Sequence, residues 1–501
     1  MIWQLAWRNL SVRPWRALLL LLGYGVGVGV MITLLAVGEA MITQAREEKL
    51  VGGGDVTILP DGIDLEVLKT GGLGGMFFSV SNARFVYRQV LASPRHAALV
   101  SAVAPQLDNK LLYLTTRAGR EWPVRAAGEL PDATRAVGAA PQLAAGTWTN
   151  DAADDRWAAP TLAEQRHDGD HFHLPTSSGD ARASWGEWHY FNVLSDDGTR
   201  WAFISYIVGG DVPDGEWGGQ FLVTLHERGR PARRFVASVP SADVRLSTTD
   251  ADLHLGAARV QVRDDGAYLL RGRAVEERTG AALDLDLVVR PAPYAEFPGA
   301  TLVSGDFESG YTVPGLRATA SGRVCVGSRP AGDCMQYRDA RAYHDHNWGQ
   351  WRGVTWEWGA AQAGQVGLLF GRVQPPDSLE TEAPLFVYVT DSLGFVALFR
   401  PRLVQYEDAR SLPVPGGTLR VPARGLLEDV RGEDSLHVEL LVDDAVATDT
   451  RAGLADRGES ALARQLRRPW FVQMQGRVRI RMRVRGERLE VNGTGFFETY
   501  R

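Results

Sequence analysis

The alternation of hydrophobic and polar positions is suspended near the start of the chain, where no residue from Ala17 to Val37 is charged. Those 21 positions, if helical, rise about 31 Å, the thickness of a hydrocarbon core, so the segment is predicted to span a membrane. Helical spacing returns briefly within Ser81–Ala92, where Phe85, Val86, Val90 and Leu91 recur on one face. Ala139–Arg166 is rich in Ala, Asp, Pro and Thr without any period and reads as a linker. Beyond it the period becomes two. Short alternating runs broken by Asp-Gly, Gly-Gly, Pro-Gly and Arg-Gly turns predict strands over Arg200–Val208, Gln220–His226, Ala257–Val262, Ala267–Val275, Ala282–Val289, Gly367–Val373, Leu385–Thr390 and Arg477–Arg485. Roughly sixteen strands at hairpin spacing fit one large or two small antiparallel barrels.

The flanks orient the apolar segment. Arg8, Arg13 and Arg16 precede it, Trp3, Trp7 and Trp15 sit at an interfacial level, and the far side is mixed, with Glu39, Arg46, Glu47, Glu48 and Lys49. The positive-inside rule places the N-terminus in the cytoplasm and the body outside, that is, periplasmic for an inner (cytoplasmic) membrane protein with a single pass. A cleaved signal peptide is the competing reading; its apolar region would be unusually long, and Gly38-Glu39-Ala40 is a poor cleavage site. The glycines at 23, 25, 27 and 29 are spread around the helix and do not make a packing face. These patterns divide the chain into a cytoplasmic stub and membrane helix (1–45), a small α+β domain (46–145) and a β-rich body (146–501).

Composition sharpens this only at a few points. A net charge of −6 with 45% hydrophobic residues makes nucleic acid an unlikely partner for the chain, and 15 tryptophans among 55 glycines suit a turn-rich β body with an aromatic interior. Cys325 and Cys334 are the two cysteines, leaving one possible disulfide; Arg329-Pro330-Ala331-Gly332 can turn the chain back between them. Arg477, Arg479, Arg481, Arg483 and Arg485 fall on one strand face, which is either a solvated outer surface or an anion site.

Candidate chemistry concentrates in Trp185-Gly186-Glu187-Trp188-His189-Tyr190-Phe191-Asn192, in Tyr343-His344-Asp345-His346-Asn347-Trp348-Gly349, and in Trp351 with Trp356-Glu357-Trp358. On a strand, His344, His346 and Trp348 project to one side and Asp345 to the other. Buried ionisable groups among aromatics in an apolar cavity can be tuned as proton donors, because burial and neighbouring charge move their pKa values toward the working pH. A metal site is the competing use of His344-x-His346 and His171-Phe172-His173, but neither local motif carries a matched carboxylate or cysteine, so no metal or cofactor is expected.

Two resemblances add to this reading. Trp3-Gln4-Leu5-Ala6-Trp7-Arg8-Asn9-Leu10 with Arg13-Pro14-Trp15-Arg16, and more weakly Gly54–Leu59 and Val100–Leu114, resemble permease subunits of ABC exporters of the lipoprotein-release and macrolide-efflux type over about the first 140 residues. No later window is long and apolar enough for a second span, so this chain alone makes no multi-helix pore. From about residue 165 to 501, Glu187–Asn192, Asp345-His346-Asn347-Trp348-Gly349 and Gly493-Thr494-Gly495-Phe496-Phe497-Glu498 resemble the carotenoid 1,2-hydratase (hydroxyneurosporene synthase) family. That resemblance implies two lipocalin-like barrels in tandem (146–345 and 346–501), protonation of an isoprenoid double bond followed by hydration or cyclisation, and a His-x-Trp pair, matched by His346 and Trp348. It also implies a downstream Tyr-x-Asp pair, which falls at Tyr388-Val389-Thr390 with Asp391 one residue later. The expected catalytic set is then His346, Trp348, Asp345, Tyr388, Thr390 and Asp391, with Trp188, Tyr190, Glu187, His344, Trp351 and Trp356 binding an isoprenoid or other hydrophobic lipid. The alternative is a membrane-tethered lipid carrier, or an accessory protein of an ABC exporter.

Overall fold

The computed structural model describes residues 14–47, 93–115, 121–138 and 171–175, most of 184–449 and 470–500, and single positions between them such as Arg166 and Asp170. Two compact units emerge, Met1–Phe78 with Ser101–Asn150, and Ser79–Val100 with Asp151–Arg501. In the first, α1 (Pro14–Glu47) contains one stretch, Pro14–Val37, long and apolar enough to cross a membrane, with mean hydropathy 2.3. The same unit holds an antiparallel pair, β1 (Gln106–Thr115) with β2 (Glu121–Glu129), and a short helix α2 (Pro131–Ala136).

The second unit is mainly β. Its first sheet has twelve strands: β3 (Trp185–Leu194), β4 (Arg200–Gly210), β5 (Trp217–Glu227), β6 (Arg233–Pro240), β7 (Val244–Leu246), β8 (Leu253–Leu255), β9 (Ala258–Val262), β10 (Tyr268–Glu276), β11 (Ala282–Pro291), β12 (Phe297–Ser304), β13 (Phe307–Val326) and β14 (Asp333–Gln350). Strand β10 closes it. One edge of β10 pairs along its length with β11, while the other pairs with β9 near Tyr268 and with β6 at Val275 and Glu276. The ring β3-β4-β5-β6-β10-β11-β13-β14 is therefore complete, an eight-stranded up-and-down antiparallel barrel of the kind lipocalins use. The cause is visible in the sequence: Leu283, Leu285, Leu287 and Val289 of β11 are buried, whereas Asp284 and Asp286 face outward opposite Arg273 and Arg271.

The second sheet has nine strands, β15 (Thr355–Ala363), β16 (Val366–Gln374), β17 (Phe386–Asp391), β18 (Gly394–Phe399), β19 (Gln405–Val414), β20 (Gly417–Arg431), β21 (Asp434–Asp449), β22 (Trp470–Val484) and β23 (Glu487–Tyr500). It curls around one core that draws Leu368, Val387, Phe399, Val421, Leu436, Val472 and Phe497 from seven of those strands. In β22, Arg477, Arg479 and Arg481 are exposed and alternate with buried Val478, Ile480 and Met482, so the arginine stripe is an outer face; Arg477 pairs with Asp443. Arg485 lies outside the described residues.

A third apolar cluster joins the outer faces of the two sheets: Tyr190, Trp201 and Phe203 from β3 and β4, Tyr343 from β14, and Trp358, Leu369, Phe386, Tyr388 and Phe496 from the second sheet. The fold is thus two antiparallel β bodies packed through an aromatic layer. Strand β14 runs to Gln350 within the first barrel, so the passage between sheets falls at 351–354 and not at the expected 345/346. Residues Ser79–Val100, expected with the small α+β domain, group with the β body. Their polar groups find partners there, Ser93 Oγ donating to the Leu393 carbonyl and Arg95 pairing with Asp391.

Candidate functional site

Strands β3 and β14 are neighbours in register, with Asp345 opposite Tyr190, His346 opposite His189, Asn347 opposite Trp188 and Trp348 opposite Glu187. Because successive side chains point to opposite faces, this pair presents two different surfaces. Glu187, His189, His344, His346 and Trp348 enter the first barrel; Trp188, Tyr190, Tyr343, Asp345 and Asn347 face the aromatic layer.

Inside the barrel the ionisable groups are densely connected. Nε2 of His344 lies 2.9 Å from Asp170 Oδ2, its Nδ1 donates to the Tyr190 carbonyl at 2.9 Å, and Tyr268 donates its hydroxyl to the same Asp170 oxygen. Glu187 Oε1 receives His346 Nε2 at 2.8 Å and His173 Nδ1 at 3.0 Å, and the His173 backbone N–H donates to both Glu187 oxygens. His173 stacks on Trp348 with ring centroids 3.7 Å apart, and His189 stacks on His346 at 4.1 Å. Trp348 can lie flat there because position 310 is glycine; a Cβ on Gly310 would come within 2.3 Å of the indole. Burial alone would raise Asp170, but the His344 imidazole bonded to it and the His346 ring beside it hold it well below the usual carboxylate range. Burial drives His189 well below an ordinary histidine, with the neighbouring His346 adding to the effect. For His346, burial opposes the charge, and the flanking Asp170 and Glu187 overcome it, lifting the group to about 9.

The aromatic layer holds a second set of groups. Trp358 Nε1 donates to the Tyr343 hydroxyl at 2.8 Å, and Tyr343 donates in turn to Asp345 Oδ2 at 2.8 Å. Asn347 Nδ2 donates to Asp345 Oδ1 at 2.6 Å. Nearby, Tyr190 donates to Glu498 Oε1 at 2.9 Å, joined by Gln473 Nε2 at 3.0 Å, while half-buried Trp356 reaches the other Glu498 oxygen at 3.4 Å. Asp345 is 3% exposed. Burial pushes its carboxyl up to about 8, and the charge of Glu498 adds to that against the hydrogen bonds of Tyr343 and Asn347. Burial likewise raises Glu498, against its hydrogen bonds to Gln473, Tyr190 and Trp356. Aromatic faces surround the pair: Tyr343 meets Phe496 edge-on at 4.8 Å, and half-buried Trp188, Trp351 and Trp356 form a contiguous rim.

The expected site residues are therefore divided between two places. His344, His346 and Trp348 share one face, with Asp345 on the other. Glu187, grouped in sequence with Trp188 and Tyr190, parts from them and enters the barrel. Tyr388 lies in the aromatic layer beside Phe297 and Phe395, on the other side of β14 from the lumen that His346 enters. Thr390 is buried with its hydroxyl directed at the Gly367 carbonyl, and Asp391 is taken up by Arg95 and the Leu393 N–H. The groups not singled out from sequence are Asp170, Tyr268, Gln473 and Glu498. Asp170 immediately precedes His171-Phe172-His173, so a carboxylate was adjacent to that motif after all. Cys325 and Cys334 are cross-strand partners of β13 and β14 and form a disulfide.

No protein-family model matches the chain, and no curated protein matches it. Solved structures are similar to it at low identity. An AttH protein of Nitrosomonas europaea shares 16% identity over 65% of this chain and 96% of its own, with a TM-score of 0.42. CghA bound to Sch210972 shares 13% over 68% and 96%, with a TM-score of 0.41. Kievitone hydratase of Nectria haematococca shares 12% over 67% and 97%, with a TM-score of 0.40. Likeness of this degree carries no argument about the chemistry of this chain.

Proposed function

We propose that this protein is a membrane-tethered acid catalyst of the hydro-lyase or cyclase type, which protonates a carbon–carbon double bond of an apolar isoprenoid or polyene in the aromatic layer between its two β bodies. The observation that carries this reading is the Asp345 carboxyl, almost wholly buried among aromatic rings and held from both sides by Tyr343 and Asn347. A neutral carboxyl in such a place can deliver a proton to carbon, and the surrounding faces of Tyr190, Tyr343, Trp358 and Phe496 attract the cation that results. In the step itself, the alkene π pair takes the Asp345 proton and forms a C–H bond, leaving a carbocation and the Asp345 carboxylate. Water adds to the cation and returns a proton to that carboxylate, giving an alcohol; an internal alkene as the trap closes a ring and forms a new cation, which loses a proton to that carboxylate and leaves a cyclic alkene. The resemblance of residues 165–501 to carotenoid 1,2-hydratases supports the hydration branch. The apolar stretch Pro14–Val37 would hold the body at the bilayer that stores such substrates.

The test is turnover of acyclic polyenes by the full-length protein in nanodiscs, in ¹⁸O-labelled water, read by mass. Hydration adds one labelled water, cyclisation leaves the mass unchanged with an altered retention time, and Asp345→Asn lowers either rate by about 10²–10⁴-fold. Wild-type turnover in a folded Asp345→Asn variant would remove Asp345 from the chemistry. Retention of polyenes with no turnover in either protein would make the chain a carrier.

A further inference from the structure

The cluster inside the first barrel is not used by that chemistry, since it lies on the opposite face of β14. Three of its side chains, Asp170, His189 and His346, each offer a ligand atom within 4.8 Å of the other two, and all three are buried. Asp170 Oδ1, His189 Nδ1 and His346 Nδ1 are buried polar atoms without a hydrogen-bond partner. Unpaired buried polar atoms are costly, and three of them on residues that bring ligand atoms within 4.8 Å of one another are rare in a packed interior. We propose that these three residues form a binding site for a divalent transition-metal ion of the zinc class, set in the barrel lumen and distinct from the Asp345 site.

The surrounding hydrogen bonds have the form that a metal site needs. Asp170 Oδ2 is held by Tyr268 and His344, so its Oδ1 is the oxygen left to coordinate. Nε2 of His346 is engaged by the Glu187 carboxylate at 2.8 Å, which puts the ring proton there and leaves the lone pair on Nδ1. A carboxylate behind a histidine, fixing its tautomer and ring orientation, is the usual outer support of a metal-bound imidazole. His346 Nδ1 and Asp170 Oδ1 stand 3.3 Å apart. Two ligands of a tetrahedral ion with bonds of about 2.0–2.1 Å are separated by about 3.3 Å, so this pair is already spaced for zinc. Two imidazoles and one carboxylate, with a fourth position open, match a mixed N/O site. A second trio, His173, Glu187 and His346, is also close together, but Glu187 is satisfied there by two ring nitrogens and a backbone N–H and has less need of an ion. The competing occupant is a proton, with His346 as an imidazolium between Asp170 and Glu187; a metal ion would displace it.

Because the site is closed to solvent, the ion would enter as the barrel forms, and the measurement is made on protein as it is produced. Full-length protein expressed with cobalt(II) in zinc-depleted medium should carry about one equivalent of cobalt, with the intense visible bands of a four-coordinate centre. His189→Ala, His346→Ala and Asp170→Asn should each lose those bands and the metal. His226→Gln, altering a histidine that pairs with Asp444 outside the cluster, should keep both. Wild-type protein isolated with less than about a tenth of an equivalent from either cobalt or zinc medium would overturn the site. So would six-coordinate, weakly coloured cobalt that survives all three substitutions. Should a substituted barrel fail to fold, the wild-type cobalt spectrum and stoichiometry decide alone.

Discussion

Removing the Tyr343 hydroxyl tests whether the aromatic layer works as a connected relay. In Tyr343→Phe two hydrogen bonds disappear, each 2.8 Å long in the structure, and Trp358 Nε1 is left buried with no acceptor. Two neutral bonds contribute about 1 kcal/mol each, and an orphaned buried N–H costs about 1–3 kcal/mol, with overlap between these terms, so we expect a loss of about 2–3 kcal/mol. Trp358→Phe loses one of the same bonds and leaves a partly filled space, for about 2 kcal/mol. The double substitution no longer strands the indole N–H, so its cost should fall short of the sum by about 1–2 kcal/mol. Urea unfolding of the four proteins, followed by near-ultraviolet dichroism and by fluorescence, measures this coupling; two probes are needed because a chain with several domains need not unfold in one step. Additivity to within about 0.5 kcal/mol would show that the relay contributes nothing as a unit. The same pair has a kinetic signature. The bond from Tyr343 to Asp345 strengthens as the carboxylate forms, so Tyr343→Phe should lower kcat by roughly tenfold, the equivalent of about 1.4 kcal/mol, with little change in KM.

Glu498 should make the β body lose stability as pH rises. Burial holds its folded pKa above the unfolded value, so the protonated native form is favoured at low pH and that stability is lost as pH climbs from the ordinary glutamate range through the raised value. Glu498→Gln should flatten this decline in urea midpoints measured across pH, and an unchanged profile would refute the assignment. Unreduced, denatured protein should present no alkylatable thiol, since Cys325 and Cys334 are bonded. Replacing both by serine should cost about 2–3 kcal/mol on the loop-entropy model, and two free thiols in protein from intact cells would count against an exported body.

Much of the fold was legible: β10 and β11 coincide closely with runs whose apolar residues recur every second position, and β4, β5 and β16 with short apolar runs bounded by turn residues. The long strands β13 and β14 were less visible. Their interior faces use His344, His346 and small residues, and their outer faces carry Tyr343 and Asp345, so neither reads as a simple apolar–polar alternation. The same period did separate Asp345 from its two histidine neighbours, but it applies equally to β3, where it sends Glu187 away from Trp188 and Tyr190. Asp170 stood beside His171-Phe172-His173, but nothing in the sequence paired it with His344 and His346. It belongs to no periodic element, and only tertiary folding brings it from beside a linker to His344 and His346. Glu498 sat within a motif noticed only as a resemblance, and nothing local marks it as the partner of Tyr190, 308 residues earlier.

A single strand that carries both proposed sites constrains how each can fail. Substitutions at His346 act on a lumen that is already closed and densely hydrogen-bonded, so their direct effects should fall on metal content and barrel stability. Substitutions at Asp345 act on a layer bounded by the second sheet, where the partners are Tyr343, Asn347 and, through Tyr190, Glu498. Yet Tyr190 spans both, since its carbonyl accepts from His344 on the lumen side while its hydroxyl donates to Glu498 in the layer. Strand β3 therefore ties the seating of His344, and through it of Asp170, to the position of the aromatic wall. The lumen cluster thus bears on the β3–β14 pair from one face and the aromatic layer from the other, with the Tyr190 carbonyl and hydroxyl as the direct link between them.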